Sequence, residues 1–102
     1  MSKLKYEKKF YDSGELKWEW WFLNGKHHND DGPAFIWYRK NGSVWREGWY
    51  LNGKLHNEES PAFIGYRGDG SVDCEGWWLD GVEYSEEEWK EIVFRKVFEG
   101  AL

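Results

Sequence analysis

The sequence predicts a mainly β protein with one C-terminal α-helix. The expected architecture is an antiparallel meander of about three 28-residue β-hairpin repeats. They should form a twisted sheet, capped by a helix over about 86–98. Three observations carry this reading. The chain repeats itself at a fixed offset of 28 residues. Asn-Gly and Asp-Gly dipeptides punctuate it at hairpin spacing. After Tyr84 the apolar spacing changes from about 2 residues to about 3.6.

The repeat comes first, because a missed period misreads the whole fold. WWFLNGKHHN at 20–29 matches GWYLNGKLHN at 48–57 and GWWLDGVEYS at 76–85. GPAFIWYRKNGSV at 32–44 recurs as SPAFIGYRGDGSV at 60–72. Glycine columns keep the same period at Gly14, Gly42 and Gly70 and at Gly25, Gly53 and Gly81. Residues 1–102 read as one domain with units at 1–28, 29–56 and 57–84, followed by a capping segment at 85–102. The first and last units are atypical, as the water-facing ends of a stacked array must be.

Each unit reads as strand, turn, strand, turn, short strand. Asn41-Gly42 and Asn52-Gly53 are the strongest turn signals, since a type I′ hairpin needs positive φ at both central residues. A two-residue loop at 41–42 pairs Phe35 with Gly48, Ile36 with Glu47, Trp37 with Arg46 and Tyr38 with Trp45. Phe63 then falls opposite Gly76, and a ring covering a bare strand glycine favours this register in both copies. The loops at 24–25 and 52–53 pair Trp21 with His28 and Trp49 with His56, and Trp77 falls opposite Tyr84.

Alternation assigns the two faces. One carries Glu19, Glu47 and Glu75, Trp21, Trp49 and Trp77, and Leu23, Leu51 and Leu79, with His28 and His56 beside the Trp column. The other carries Leu16, Val44 and Val72, Trp18, Arg46 and Cys74, Trp20, Gly48 and Gly76, and Phe22, Tyr50 and Trp78. Neither face is polar, so each must be covered or must bind something.

The final segment opens with a capping box, Ser85 with Glu88, and with Tyr84 and Trp89 at staple spacing. Glu86, Glu87 and Glu88 suit the positive end of the helix dipole, and Arg95 and Lys96 the negative end. Trp89, Ile92, Val93 and Val97 form one apolar stripe, widened by Phe98 and Phe94. Gly100 is the expected stop. The helix should shield the last unit.

The phrases YLNGKLHNEESPA at 50–62 and FLNGKHHNDDGPA at 22–34 resemble a repeat of the form NGKLHREDGPA. That repeat is similar to a variant of the MORN repeat, found in proteins of phages, large DNA viruses and bacteria, including antitoxin-like proteins. The resemblance covers roughly 14–84. It implies an extended sheet of hairpins that works by interaction rather than catalysis. Asn29 and Asn57 stand where the family pattern usually has Arg, and Ser60 replaces a Gly, so no anion-binding role carries over to those positions.

Composition bounds the function. The charge is −5, with 14 basic and 19 acidic residues, which disfavours binding duplex nucleic acid through its phosphates. One Cys excludes an internal disulfide framework and a Cys-based zinc site. No apolar run is long enough to span a membrane, and MSKLKYEKKF lacks the apolar core of a signal peptide, so a cytoplasmic protein is expected, in a bacterial host if phage-encoded.

No constellation points to catalysis or to a cofactor. His28 and His56 lie on one face with Glu19 and Glu47, but equivalent positions one unit apart should be on the order of 14 Å apart, too far for one metal ion. An imidazole packed on Trp and bonded to the turn that follows is the simpler reading. Asp30-Asp31 and Glu58-Glu59 lack the alternating spacing of a calcium loop and read as solvated loops. Cys74 has no activating base nearby in sequence.

The aromatic excess is the informative feature: nine Trp, six Tyr and six Phe exceed what one small core takes. The candidate binding residues belong mainly to the central unit: Trp37, Tyr38, Arg39, Trp45, Arg46, Trp49, Tyr50, His56 and Arg67. Rigid rings with Arg have the composition of an interface hot spot. The expected function is a non-enzymatic protein-binding module, a small inhibitor of the phage anti-defence or antitoxin-like kind. Its expected partner is a protein, such as a basic or nucleic-acid-binding enzyme, and an edge strand offers a route to a homodimer. The alternative is a nucleotide or cyclic-nucleotide binder that stacks bases on the same rings.

Overall fold

Ten strands and one helix follow in chain order in the computed structural model, which describes residues 3–100. The outermost two residues expected at each end of the array, 1–2 and 101–102, lie outside the described residues. The strands are β1 (Leu4–Phe10), β2 (Leu16–Leu23), β3 (Lys26–His27), β4 (Phe35–Tyr38), β5 (Val44–Gly48), β6 (Tyr50–Leu51), β7 (Lys54–Leu55), β8 (Phe63–Tyr66), β9 (Val72–Leu79) and β10 (Val82–Tyr84), followed by α1 (Glu86–Gly100). All pairings are antiparallel.

The sheet runs β1-β2-β4-β5-β8-β9-β10, with β3 also paired to β2 and with β6 and β7 paired to each other. This departs from a plain meander. The return strand β3 covers only the second half of β2, at Phe22 and Leu23. The chain then loops over 28–34, and β4 covers the first half of the same edge, at Trp18, Glu19 and Trp20. Pro33 and Pro61 have no N–H to give a ladder, and they sit where the chain moves from one half to the other.

The two kinds of turn differ. Asn24, Asn52 and Asp80 have φ of 52°, 51° and 49°, each followed by a glycine at positive φ, as type I′ turns require. At 41–42 the expected two-residue loop does not form. Only Gly42 has positive φ, at 91°, and its N–H donates to Arg39 O at 2.9 Å. Asn41 instead uses its side chain, whose Oδ1 accepts from Ser43 N–H at 2.9 Å and Ser43 Oγ at 2.7 Å. The longer loop inserts a bulge. Phe35–Gly48, Ile36–Glu47 and Trp37–Arg46 pair as the sequence predicts, but Tyr38 falls opposite Val44, and the predicted partner Trp45 is the extra residue. Corresponding register shifts follow Lys9 and Gly65.

The molecule measures 53 × 40 × 19 Å, and its radius of gyration is 15.3 Å. A compact chain of this length has about 13 Å. The thin dimension matches one sheet with side chains on both sides, since a second sheet would add about 10 Å. Accordingly the buried hydrophobic residues are few: Ala34, Ala62 and Trp89. The other indoles are all half-buried.

Hydrogen bonds tie successive hairpins together. Gly53 N–H donates to His27 O at 2.8 Å, and Gly81 N–H to Leu55 O at 2.9 Å. Asn29 N–H donates to Tyr50 O, and Asn57 N–H to Trp78 O, both at 3.1 Å. The two asparagines also organise the loops ahead of the prolines. Asn29 accepts from Asp31 N–H and donates to Pro33 O, both at 3.0 Å. Asn57 accepts from Glu59 N–H at 2.8 Å and donates to Ser60 Oγ at 2.8 Å.

The helix is capped as expected: Ser85 N–H donates to Glu88 Oε1 at 3.3 Å and Ser85 Oγ accepts from Glu88 N–H at 3.2 Å. Trp89 lies 4.6 Å from the Trp77 ring and donates Nε1–H to Asn57 O at 2.9 Å. Only the first part of the predicted stripe is docked. Ile92, Phe94, Val97 and Phe98 stand 36%, 72%, 67% and 57% exposed.

Candidate functional site

The cross-strand pairs place side chains on the two faces that alternation assigns. The face under α1 has a regular bottom row. Tyr6 and Tyr38 both donate to Glu19, at 2.8 and 2.5 Å, and Tyr66 donates to Glu47 at 2.8 Å. Burial, then the bond to Glu19, drives the Tyr38 phenol far above its ordinary range. Burial and Glu47 push Tyr66 up to about 12. These phenols are held as donors, which makes the Tyr–Glu pairs structural.

Above this row runs the Trp column. Trp21 is covered by the Tyr6 ring at 5.1 Å, and Trp77 by Trp89 at 4.6 Å. Among the described residues no ring of the chain stacks on Trp49. It forms the floor, with Leu51, of a groove of about 590 Å³ between the loops at 29–31 and 57–60. Asp30, Asp31, Glu58, Glu59 and Asp80 line that groove, with Lys96 of α1 on its rim. Lys96 pairs with Glu58; the bond holds the Glu58 carboxyl below its usual range and raises the lysine. Sequence reasoning takes these acidic pairs as solvated loops. The signal was their adjacency to His28 and His56, which already belong to the Trp49 face.

His28 and His56 are fixed in one tautomer. Each Nδ1 accepts a backbone N–H from the following unit's turn, Asn52 to His28 and Asp80 to His56, both at 2.9 Å. The remaining Nε2 must then carry the proton, and in His28 it faces Asp30 Oδ1 at 3.0 Å. Neither imidazole has a free lone pair for a metal. Among the described residues no three His, Cys, Asp or Glu groups come together as a metal site would need.

Among the described residues no helix covers the opposite face. Trp18 stacks on Trp20 at 4.1 Å and 16° between planes. Trp20 meets Phe22, His27 and Phe35 at 5.6–6.2 Å between ring centres. Phe35 meets Trp37, and Trp37 meets Trp45, at 5.8 and 5.7 Å. The Nε1 atoms of Trp20 and Trp37 and the Nε2 of His27 are buried without a partner among the described residues. Burial pushes the His27 imidazole below its ordinary value. Tyr50 lies 5.3 Å from His27, and burial raises its phenol. Its ring also covers Gly48, where an added Cβ would come within 2.8 Å.

The nine sequence-predicted residues therefore do not form one site. Trp37, Arg46 and Tyr50 lie on the uncovered face, and bulged Trp45 adjoins them. Trp49, His56 and Tyr38 lie on the helix face. Arg39 and Arg46 stack on Trp45 at 5.4 and 4.7 Å, and Arg39 also donates to Tyr66 O at 2.9 Å. Arg67 is spent on its own turn, donating to Val72 O at 2.9 Å and pairing with Asp73 at 3.5 Å. Trp18 and Trp20, absent from the predicted set, carry the tightest ring stack, because the first unit has Trp where later units have Arg, Cys and Gly.

The fold and its surfaces define one main antiparallel sheet with a separate two-stranded β6-β7 hairpin, aromatic on both faces and capped at one end by a helix. No family model, curated protein or solved structure matches the chain. No helix among the described residues is long and apolar enough to cross a membrane.

Proposed function

We propose that this chain is a non-enzymatic protein-binding module. The observation that carries the reading is the uncovered ladder Trp18–Trp20–Phe35–Trp37–Trp45, half-buried and continuous over the first two units. Each of these rings keeps part of its surface in water, and rigid rings with Arg at the edge are what buried interface centres use. The excess of acidic residues favours a basic partner by steering encounter. The MORN-variant resemblance, with its antitoxin-like members, supports an inhibitory role, such as a phage-encoded antagonist of a nucleic-acid-binding defence enzyme.

The nucleotide-binding alternative has less support. Trp45, the ring best placed beside arginines, is already stacked on Arg39 and Arg46. The helix-face groove is lined with carboxylates, which repel phosphate.

Affinity capture from a bacterial lysate tests the reading. The chain should retain one dominant protein, and Trp20→Ala or Trp37→Ala should lose it while remaining folded by circular dichroism. Capture unchanged in both variants overturns the assignment to this face. Tight binding of a mononucleotide, seen as Trp quenching and a raised melting temperature, would favour the alternative.

A further inference from the structure

We infer that the groove over Trp49 receives a basic segment of the partner, with an arginine guanidinium lying flat on the indole and donating to the carboxylates of the two loops. The inference rests on the protein-binding reading but uses the opposite face.

Two independent features of this chain point there. The first is the Trp column. Trp21 and Trp77 are each covered by a ring from the chain itself, Tyr6 and Trp89. Among the described residues no ring covers the central indole, which with Leu51 lines a groove of about 590 Å³. A planar group completes the column. The second is charge. Five carboxylates line the groove, and those of Asp31 and Glu59 make no side-chain hydrogen bond or ion pair among the described residues. The chain's own Lys96 already places an ammonium on Glu58 at the rim, so the groove holds a cation.

Planarity and charge together select arginine. A guanidinium stacks on an indole, and its fork of N–H groups matches carboxylate geometry, whereas an ammonium is a compact, strongly hydrated point charge. Two carboxylate loops on either side of the ring let one side chain do both at once. Lys96 then acts as a resident competitor that a bound arginine displaces from Glu58.

Calorimetric titration with a short acetylated and amidated arginine peptide tests this, against the same peptide carrying citrulline, which keeps the shape and removes the charge, and against the lysine version. The arginine peptide should bind more tightly than the citrulline peptide by roughly tenfold or more, with lysine between them. Added salt should weaken binding. Trp49→Leu should lose roughly tenfold. Lys96→Ala should bind several-fold more tightly, a gain that a purely structural role for Lys96 would not produce. If Trp49→Leu does not fold, Asp31→Asn with Glu59→Gln is the replacement, with the same expected direction. Equal binding of the arginine and citrulline peptides, or weaker binding by Lys96→Ala, overturns the inference. If no peptide binds while partner capture still depends on Trp20, the groove assignment falls and the protein-binding reading stands.

Discussion

His28 Nδ1 accepts the backbone N–H of Asn52 at 2.9 Å, and His28 is 92% buried, being 8% exposed. The bond joins the loop that ends one unit to the turn at the tip of the next. With His56 and Asp80 the same bond recurs one unit on, at 2.9 Å. The imidazoles thus latch neighbouring hairpins together.

Replacing His28 by alanine should cost about 1–3 kcal/mol, since the Asn52 amide is left without its acceptor in a half-covered site. His56→Ala should cost less, because its bond to Asp80 is exposed and water can replace the imidazole, whereas the His28 bond is part-buried. Denaturant unfolding of both variants, with hydrogen exchange at the Asn52 amide, checks this. An unchanged exchange rate in His28→Ala would remove the latch.

Gly48 is required by the ring two residues along rather than by its own backbone angle. An added Cβ would come within 2.8 Å of Tyr50 Cε1, and at Gly76 within 2.7 Å of Trp78 Nε1. Gly48→Ala should destabilise by about 1–3 kcal/mol through overpacking. The double variant with Tyr50→Ala should recover much of that loss. Additive effects in thermal melts would show that the ring is not the cause.

Trp89 is the one deeply buried indole, 6% exposed, and it holds the helix to the sheet. Trp89→Ala should cost about 3–5 kcal/mol and release α1. Near-ultraviolet circular dichroism should lose the Trp77–Trp89 signal, and limited proteolysis should cut within 86–98. A helix that stays protected in the variant would mean that Ile92 and Val93 suffice.

Tyr66 gives a pH dependence with a defined sign. Its phenol is raised from 10.0 to about 12, mainly by burial and then by its bond to Glu47. A folded pKa above the unfolded one means a contribution fully present below pH about 10, lost as pH rises through about 12. Ultraviolet titration should show a late-ionising tyrosine that Tyr66→Phe removes and Glu47→Gln shifts downward. A Glu47→Gln profile identical to the parent would count against the pair.

The antiparallel β architecture, the type I′ turns at Asn24, Asn52 and Asp80, both sheet faces and the capped helix were all legible in the chain. Each depends on local chemistry: glycine and asparagine tolerate positive φ, alternation fixes the side a residue faces, and Ser85 with Glu88 satisfies free amides at a helix start. The Phe35–Gly48 register could be read for the same reason, but the bulge at Trp45 could not. Asn41-Gly42 and Asn52-Gly53 look alike as dipeptides, and only the surrounding ladder decides whether the asparagine bends its backbone or bonds through its side chain.

What the tertiary structure alone decided is which residues meet. Alternation along the chain already puts Trp37 and Arg46 on the other face from Trp49 and His56, and folding keeps that division across the thin molecule. Folding brings Asp30, Glu58 and Lys96 around Trp49 from three separate segments. Such proximity depends on where loops cross the sheet and where the helix stops, and these are set by non-local packing that no local pattern of residues encodes.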